Sequence, residues 1–187
     1  KMRLVVSERN TLSPSRRHLR QRRLGLTRHL MRLTYPWADG VIAVSKGFAD
    51  DLAGTIHLDR DRIDFVYNPV DLDFICREAE EPFVHPWFEL DQPPVLLGVG
   101  RLTQQKDFQV LIRAFGQLRE QRLARLIILG EGELRSDLQG LITKLGLDKD
   151  IALPGFQKNP FVWMRRSAVF VLSSAWYGLR GTLFQAL

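Results

Sequence analysis

From Pro94 onward, short apolar runs alternate with segments of helical periodicity, and this alternation restricts the fold more than any other feature of the chain. Val95 to Val99 is a run of β-forming residues interrupted only by Gly98, the pattern of a strand buried on both faces. Phe108, Leu111, Ile112, Phe115 and Leu118 then recur at helical spacing over 108–121, with Asp107 in the capping position. Strands are predicted at Leu126–Leu129, Ile151–Leu153 and Val169–Leu172, and helices over 134–145 and just after Asn159-Pro160, where proline suits a first turn. Strands alternating with helices imply right-handed crossovers and a parallel sheet covered on both faces, an α/β fold.

Earlier in the chain, Arg3–Ser7, Gly40–Val44 and Ile63–Tyr67 read as strands, with Ser45 capping a helix over 46–52 and Asn68-Pro69 breaking the third strand. Residues 71–93 are polar, carry Pro82, Pro86 and Pro93, and read as an interdomain linker. Both ends are abrupt: the first strand has nothing before it, and Leu183, Phe184 and Leu187 start a helical face with no cap. The expectation is a fragment of a longer protein, incomplete at both ends.

The loop after the 95–99 strand holds Arg101 and Lys106 with no acid between them. In an open α/β sheet, ligands bind beyond the carboxyl ends of the strands. Two cations there fit a phosphate or diphosphate site, and equally fit two solvated surface charges. Gly98-x-Gly100 raises a dinucleotide-dependent oxidoreductase. That reading fails, because Thr103 replaces the third glycine and Glu120 sits on a helix instead of ending the next strand.

Charge excludes some functions and raises another. The net charge of +6 comes from residues 1–33, which hold ten Lys/Arg and one acid; the remaining residues hold 17 and 20. Within 14–33, seven arginines accompany Leu19, Leu26, Leu30 and Leu33 at helical spacing. Such a helix either lies on an anionic membrane surface or packs its leucines on a core. Nucleic acid is disfavoured, since the segment has no aromatic residue to stack on bases. The lone Cys76 cannot form an intrachain disulfide and reads as a small buried hydrophobe in a reducing compartment. Four scattered histidines give no metal-ligand spacing, so no metal is expected.

Six stretches in order resemble the group-1 retaining glycosyltransferases of the GT-B fold: ADGVIAVSKGFADDL, VYNPVD, GVGRLTQQKDFQVLIRAF, LIILGEGELRSDLQGL, LPGFQKNPF and VLSSAWYGLRGTLFQAL. The resemblance implies two Rossmann-like domains: residues 1–80 as the later part of an acceptor domain, 81–93 as a linker, and 94–187 as most of a donor domain. It implies transfer of a sugar, with retention and without a metal, from a nucleotide-diphosphate donor to a hydroxyl acceptor on a polysaccharide or glycolipid. The donor would be a UDP-sugar, with GDP- and ADP-sugars as alternatives. A cytoplasmic protein, peripheral on the inner face of a bacterial membrane through 14–33, is the location it suggests.

By the same resemblance, Arg101 and Lys106 would offset the charge of the departing nucleoside diphosphate. Gly100, Gly130 and Gly132 would let the backbone approach the ligand, and Phe156 and Gln157 would hold the nucleobase. Gly178, Leu179, Thr182 and Leu183 would present free N–H groups to the diphosphate at a helix start. The family places two glutamates where this chain has Tyr177 and Gln185. Neither supplies a carboxylate, and Arg180 stands where proline is usual. A catalytically impaired relative that only binds nucleotide or membrane is therefore the alternative.

Overall fold

The computed structural model describes residues 3–8 and 21–175. The described chain divides into two compact units between Pro69 and Val70. The first contains β1 (Val5–Glu8), α1 (Gln21–Thr34), β2 (Gly40–Ala43), α2 (Lys46–Ile56) and β3 (Ile63–Phe65). The strands are parallel in the order β1-β2-β3. Ser45 caps α2 as its position predicts, accepting from the Phe48 N–H at 3.2 Å. Phe48, Ala49, Leu52 and Ile56 bury that helix's apolar stripe against Val41, Ala43 and Ile63. On α1, Met31 joins this core, whereas Leu26, Leu30 and Leu33 are exposed. The reading in which those three leucines pack on a core is thus corrected: the helix seats its opposite face.

The second unit, from Val70, contains α3 (Leu72–Ala79), β4 (Val95–Val99), α4 (Phe108–Gln121), β5 (Arg125–Leu129), α5 (Arg135–Lys144), β6 (Ile151–Gly155), α6 (Phe161–Arg166) and β7 (Val169–Phe170). Its four strands are all parallel, ordered β6-β5-β4-β7. Side chains of β5 alternate between two cores. Leu126 and Ile128 meet Phe108, Leu111, Ile112 and Phe115 of α4 and Leu138 and Ile142 of α5. Ile127 and Leu129 meet Val162 and Trp163 of α6. This is why the central strands carry continuous apolar runs.

The short α6 covers too little of that second face, and residues 83–88 complete it: Phe83, Trp87 and Phe88 pack on the same cluster. His85 is held among them, 5.1 Å from the Trp163 ring centroid, while the Arg125 guanidinium lies over Trp87 at 4.9 Å. Burial, then the Arg125 charge, hold the His85 pKa below its ordinary value. The stretch expected as a polar linker also contains α3, capped by Asp71, whose carboxylate accepts from the Phe74 N–H at 2.9 Å. Asn159 ties α3 to α6 by donating to the Glu78 carbonyl at 2.8 Å. Cys76 lies exposed on α3, contrary to the expectation of a buried thiol. Asp107 occupies the cap position of α4 but makes no side-chain cap bond, because its backbone is left-handed (φ 47°). Among the described residues no helix is long and apolar enough to cross a membrane.

Candidate functional site

The loops leaving β4, β5 and β6 are laced together by main-chain hydrogen bonds at the carboxyl edge of the second sheet. Gly100 N–H donates to Leu129 O at 2.9 Å, Leu102 N–H to Glu131 O at 2.9 Å, and Gly130 N–H to Gly155 O at 2.9 Å. Leu134 N–H donates back to Leu102 O at 3.0 Å. The spacing leaves no room for side chains. A Cβ on Gly130 (φ 133°) would run into the Gly100 carbonyl, and one on Gly132 into the Leu102 backbone. Gly130 and Gly132 are thus fixed by loop-on-loop contact.

Lys106 folds back along the β4 loop, its Cγ, Cδ and Cε lying 3.0–3.3 Å from where a Gly100 Cβ would sit. Half-buried there, it has a pKa below the ordinary lysine value, first through burial and then through the charge of Arg101. Arg101 is exposed. Two like charges are therefore held close together, an arrangement that favours an anion between or over them.

The chain after β7 reaches the same loop. Ser173 Oγ donates to Lys106 O at 2.7 Å, and Ala175 N–H to Gln105 O at 3.0 Å. Sheet order places β5 and β6 to one side of β4 and β7 to the other. The Arg101–Lys106 loop thus sits where successive connections change direction, the switch point at which open α/β sheets bind ligands.

Beside it opens a cleft of about 430 Å³ lined by Val99, Gly100, Arg101, Leu129, Glu131 and Phe156, with Gly130, Gln157 and Pro160. Phe156 is 76% exposed and belongs to neither core, so its ring is open to stacking on a ligand. Gln157 Nε2 donates to Pro154 O at 3.2 Å, bracing the loop. Of the predicted residues, the cleft brings together Gly100, Arg101, Gly130, Phe156 and Gln157; Lys106 flanks it through Gly100. Tyr177, Gly178, Leu179, Thr182, Leu183 and Gln185 lie outside the described residues. Sequence reasoning missed Glu131, Val99, Leu129 and Pro160. The strand-end position of Glu131, between two glycines, was the available signal. A larger hollow of about 570 Å³ lies at the opposite edge of the sheet, between α4 and the start of β6. There Arg119 Nε and Asp150 Oδ1 form an ion pair at 3.1 Å, although the buried Nε makes no hydrogen bond.

Comparison with known proteins places this α/β architecture in a family. Residues 93–187 match the model for "Glycosyl transferases group 1", and residues 1–74 that for "Glycosyltransferase Family 4". The chain belongs to the group-1 glycosyl transferases. It is 32% identical, over 100% of its own length, to the Campylobacter jejuni N-acetylgalactosamine-N,N'-diacetylbacillosaminyl-diphospho-undecaprenol 4-alpha-N-acetylgalactosaminyltransferase. It is 36% identical over 82% of its length to an uncharacterized glycosyltransferase of Methanocaldococcus jannaschii. The chain spans 49% and 38% of those two relatives. Its GT-B fold matches a structure of Anabaena Alr3699/HepE in complex with UDP (TM-score 0.77, 21% identity, 98% of this chain and 50% of that one). Staphylococcus aureus TarM matches with the same TM-score at 13% identity, over 98% of this chain and 34% of that one.

Proposed function

We propose that the chain is the donor-binding part, with a portion of the acceptor side, of an enzyme that moves a sugar from a nucleotide diphosphate to a hydroxyl group. The observation that carries the reading is the pairing of Arg101 with Lys106 at the switch point, beside a cleft walled by Phe156. As the glycosidic bond breaks, negative charge grows on the leaving diphosphate, and fixed cations there stabilise the transition state. The two side chains take the part a divalent metal would otherwise play, and the reaction is read as metal-independent. The Campylobacter relative's name specifies an alpha linkage. Retention from an α-linked nucleotide sugar gives that anomer. UDP is the first choice of nucleotide, since the Anabaena neighbour was solved with it.

The same relative acts on a diphospho-undecaprenol-linked saccharide, and a polyprenyl-linked glycan is the acceptor class proposed here. Such acceptors stay at the membrane. The exposed Leu26, Leu30 and Leu33, on a helix with no acidic residue, fit a peripheral position on the cytoplasmic face.

Thermal unfolding in the presence of UDP, GDP and ADP tests the donor reading. At 100-fold over its dissociation constant, the right nucleotide adds about 2.7 kcal/mol and a clear rise in Tm. Arg101→Ala is expected to remove that rise. A folded protein whose Tm responds to none of the three supports the alternative, an impaired relative whose Tyr177 and Gln185 have replaced working glutamates.

A further inference from the structure

We infer that the outward face of α4 is a self-complementary surface that pairs two copies of this chain about a two-fold axis. The face lies outside the cleft, and the inference goes beyond the donor reading. Helical spacing supplies the first argument. Val110, Arg113, Gln117 and Glu120 lie on one exposed stripe of α4, with Gly116 beside them. The midpoint between Arg113 and Glu120 falls between Gly116 and Gln117. Turned end for end about that point, Arg113 takes the place of Glu120. Val110 likewise takes the place of Leu123, the second residue past the helix. An antiparallel α4 from a second copy therefore sets cation against anion at both ends, with apolar residues meeting outside them. A two-fold interface requires this kind of surface, in which one patch meets its own copy.

The groups concerned are unmatched within the chain. Arg113 and Glu120 are exposed and make no ion pair among the described residues. Two helical turns, about 10 Å, separate them, so they are not the neighbours that pair along a helix. Val110 and Leu123 are 55% and 65% exposed. Singly, each is an ordinary surface residue; their placement about the same midpoint as the charges is what points to a partner.

Shape supplies the next argument. The hollow of about 570 Å³ runs beside this stripe, with Gly116 and Gln117 on one wall and Leu145 and Leu147 on the other. Gly116 has no side chain to hold a second helix off, so the backbones can approach closely at the axis. An incoming helix would also cover Leu145, which is 41% exposed. Charge decides the occupant. One cation and one anion at opposite ends offer little to a polyanion or an anionic membrane. Their complement is a stripe of reversed order, which a second copy supplies.

One helix and one turn bury less than the roughly 1,200 Å² of a stable complex, so the dimer is weak and is expected to be populated at about 100 µM. Sedimentation velocity over about 5–500 µM tests this on wild type, Arg113→Glu, Glu120→Arg and the double exchange. Each single variant sets like charges opposite each other and should weaken association at least about tenfold, with Tm unchanged in dilute solution. The double exchange restores opposite charges and should recover the dimer. Gln117→Cys in a Cys76→Ser background gives a test that leaves Arg113 and Glu120 in place. Its thiols lie beside the axis, and a short bismaleimide should join two copies. A wild type that stays monomeric throughout overturns the inference. So does a dimer that both single variants leave intact, since its interface then lies elsewhere. A folded double exchange that stays monomeric, or a folded Gln117→Cys protein that does not cross-link, overturns it equally.

Discussion

At the scale of single residues, the site depends on close backbone approach and on two neighbouring cations. Gly130→Ala sets a methyl group against the Gly100 carbonyl at a φ of 133°. Neither loop can retreat without breaking its hydrogen bonds. The variant is expected to be destabilised by on the order of 1–3 kcal/mol or more in urea unfolding, with loss of nucleotide binding. An unchanged midpoint would show that the loops have slack. Lys106 gives a pH prediction. Its pKa is lowered in the free protein by burial and by Arg101, and a bound diphosphate, favouring the ammonium, raises it again. Affinity is therefore full below the free-state pKa and falls as pH rises through it, with a proton taken up on binding. Titration from pH 7.5 to 10 in buffers of different ionisation enthalpy should show the decline and the uptake. Lys106→Met should bind more weakly and flatten the profile.

At the scale of elements, two aspartates in cap positions behave differently. The Asp71 carboxylate accepts from Phe74 N–H, while Asp107 makes no side-chain bond and sits in the left-handed region. Asp71→Ala is expected to cost about 1 kcal/mol in chemical denaturation. Asp107→Gly should be neutral or slightly stabilising, because glycine relieves the positive φ. A larger loss at 107 than at 71 would reverse the assignment of caps. The contrast shows what the sequence can and cannot transmit. Residue type and position put an aspartate before each apolar stripe, but only the backbone decides whether it caps. The bounds of β4 and α4 were legible because both faces of β4 are buried and the α4 stripe is unbroken. Helix α3 was not, because its eight residues bury only Ala79 and are anchored by Asn159, far along the chain. The covering role of Phe83, Trp87 and Phe88 was hidden for the same reason: it answers a shortage on the opposite sheet face that only the assembled fold reveals. In the site, Arg101, Lys106 and the glycines stood out as chemistry at a strand end. Glu131 did not, since its place in the cleft comes from lying between two other loops.

At the scale of the whole molecule, charge is distributed unevenly: residues 1–33 carry ten of the 27 Lys/Arg and one of the 21 acids. Helix α1 shows how this segment can meet a surface. Leu26, Leu30 and Leu33 project outward at spacings of four and three, a single apolar face, while Met31 anchors the helix from behind. Arg32 is partly committed, donating to Thr55 O at 2.9 Å, so the arginines do more than await lipid. An anionic bilayer would take the leucines into its interface and gain about 1 kcal/mol for each nearby cation, an attraction that salt screens. Sedimentation with vesicles containing phosphatidylglycerol should therefore capture the protein at low ionic strength and release much of it at 0.5 M salt, where the screening length is roughly 4 Å. Leu30→Ser combined with Leu33→Ser keeps every charge and should still weaken binding markedly, because electrostatics alone would leave it unchanged. Equal capture by neutral phosphatidylcholine vesicles would remove the electrostatic part of the proposal, and full capture of the double variant would remove the apolar part.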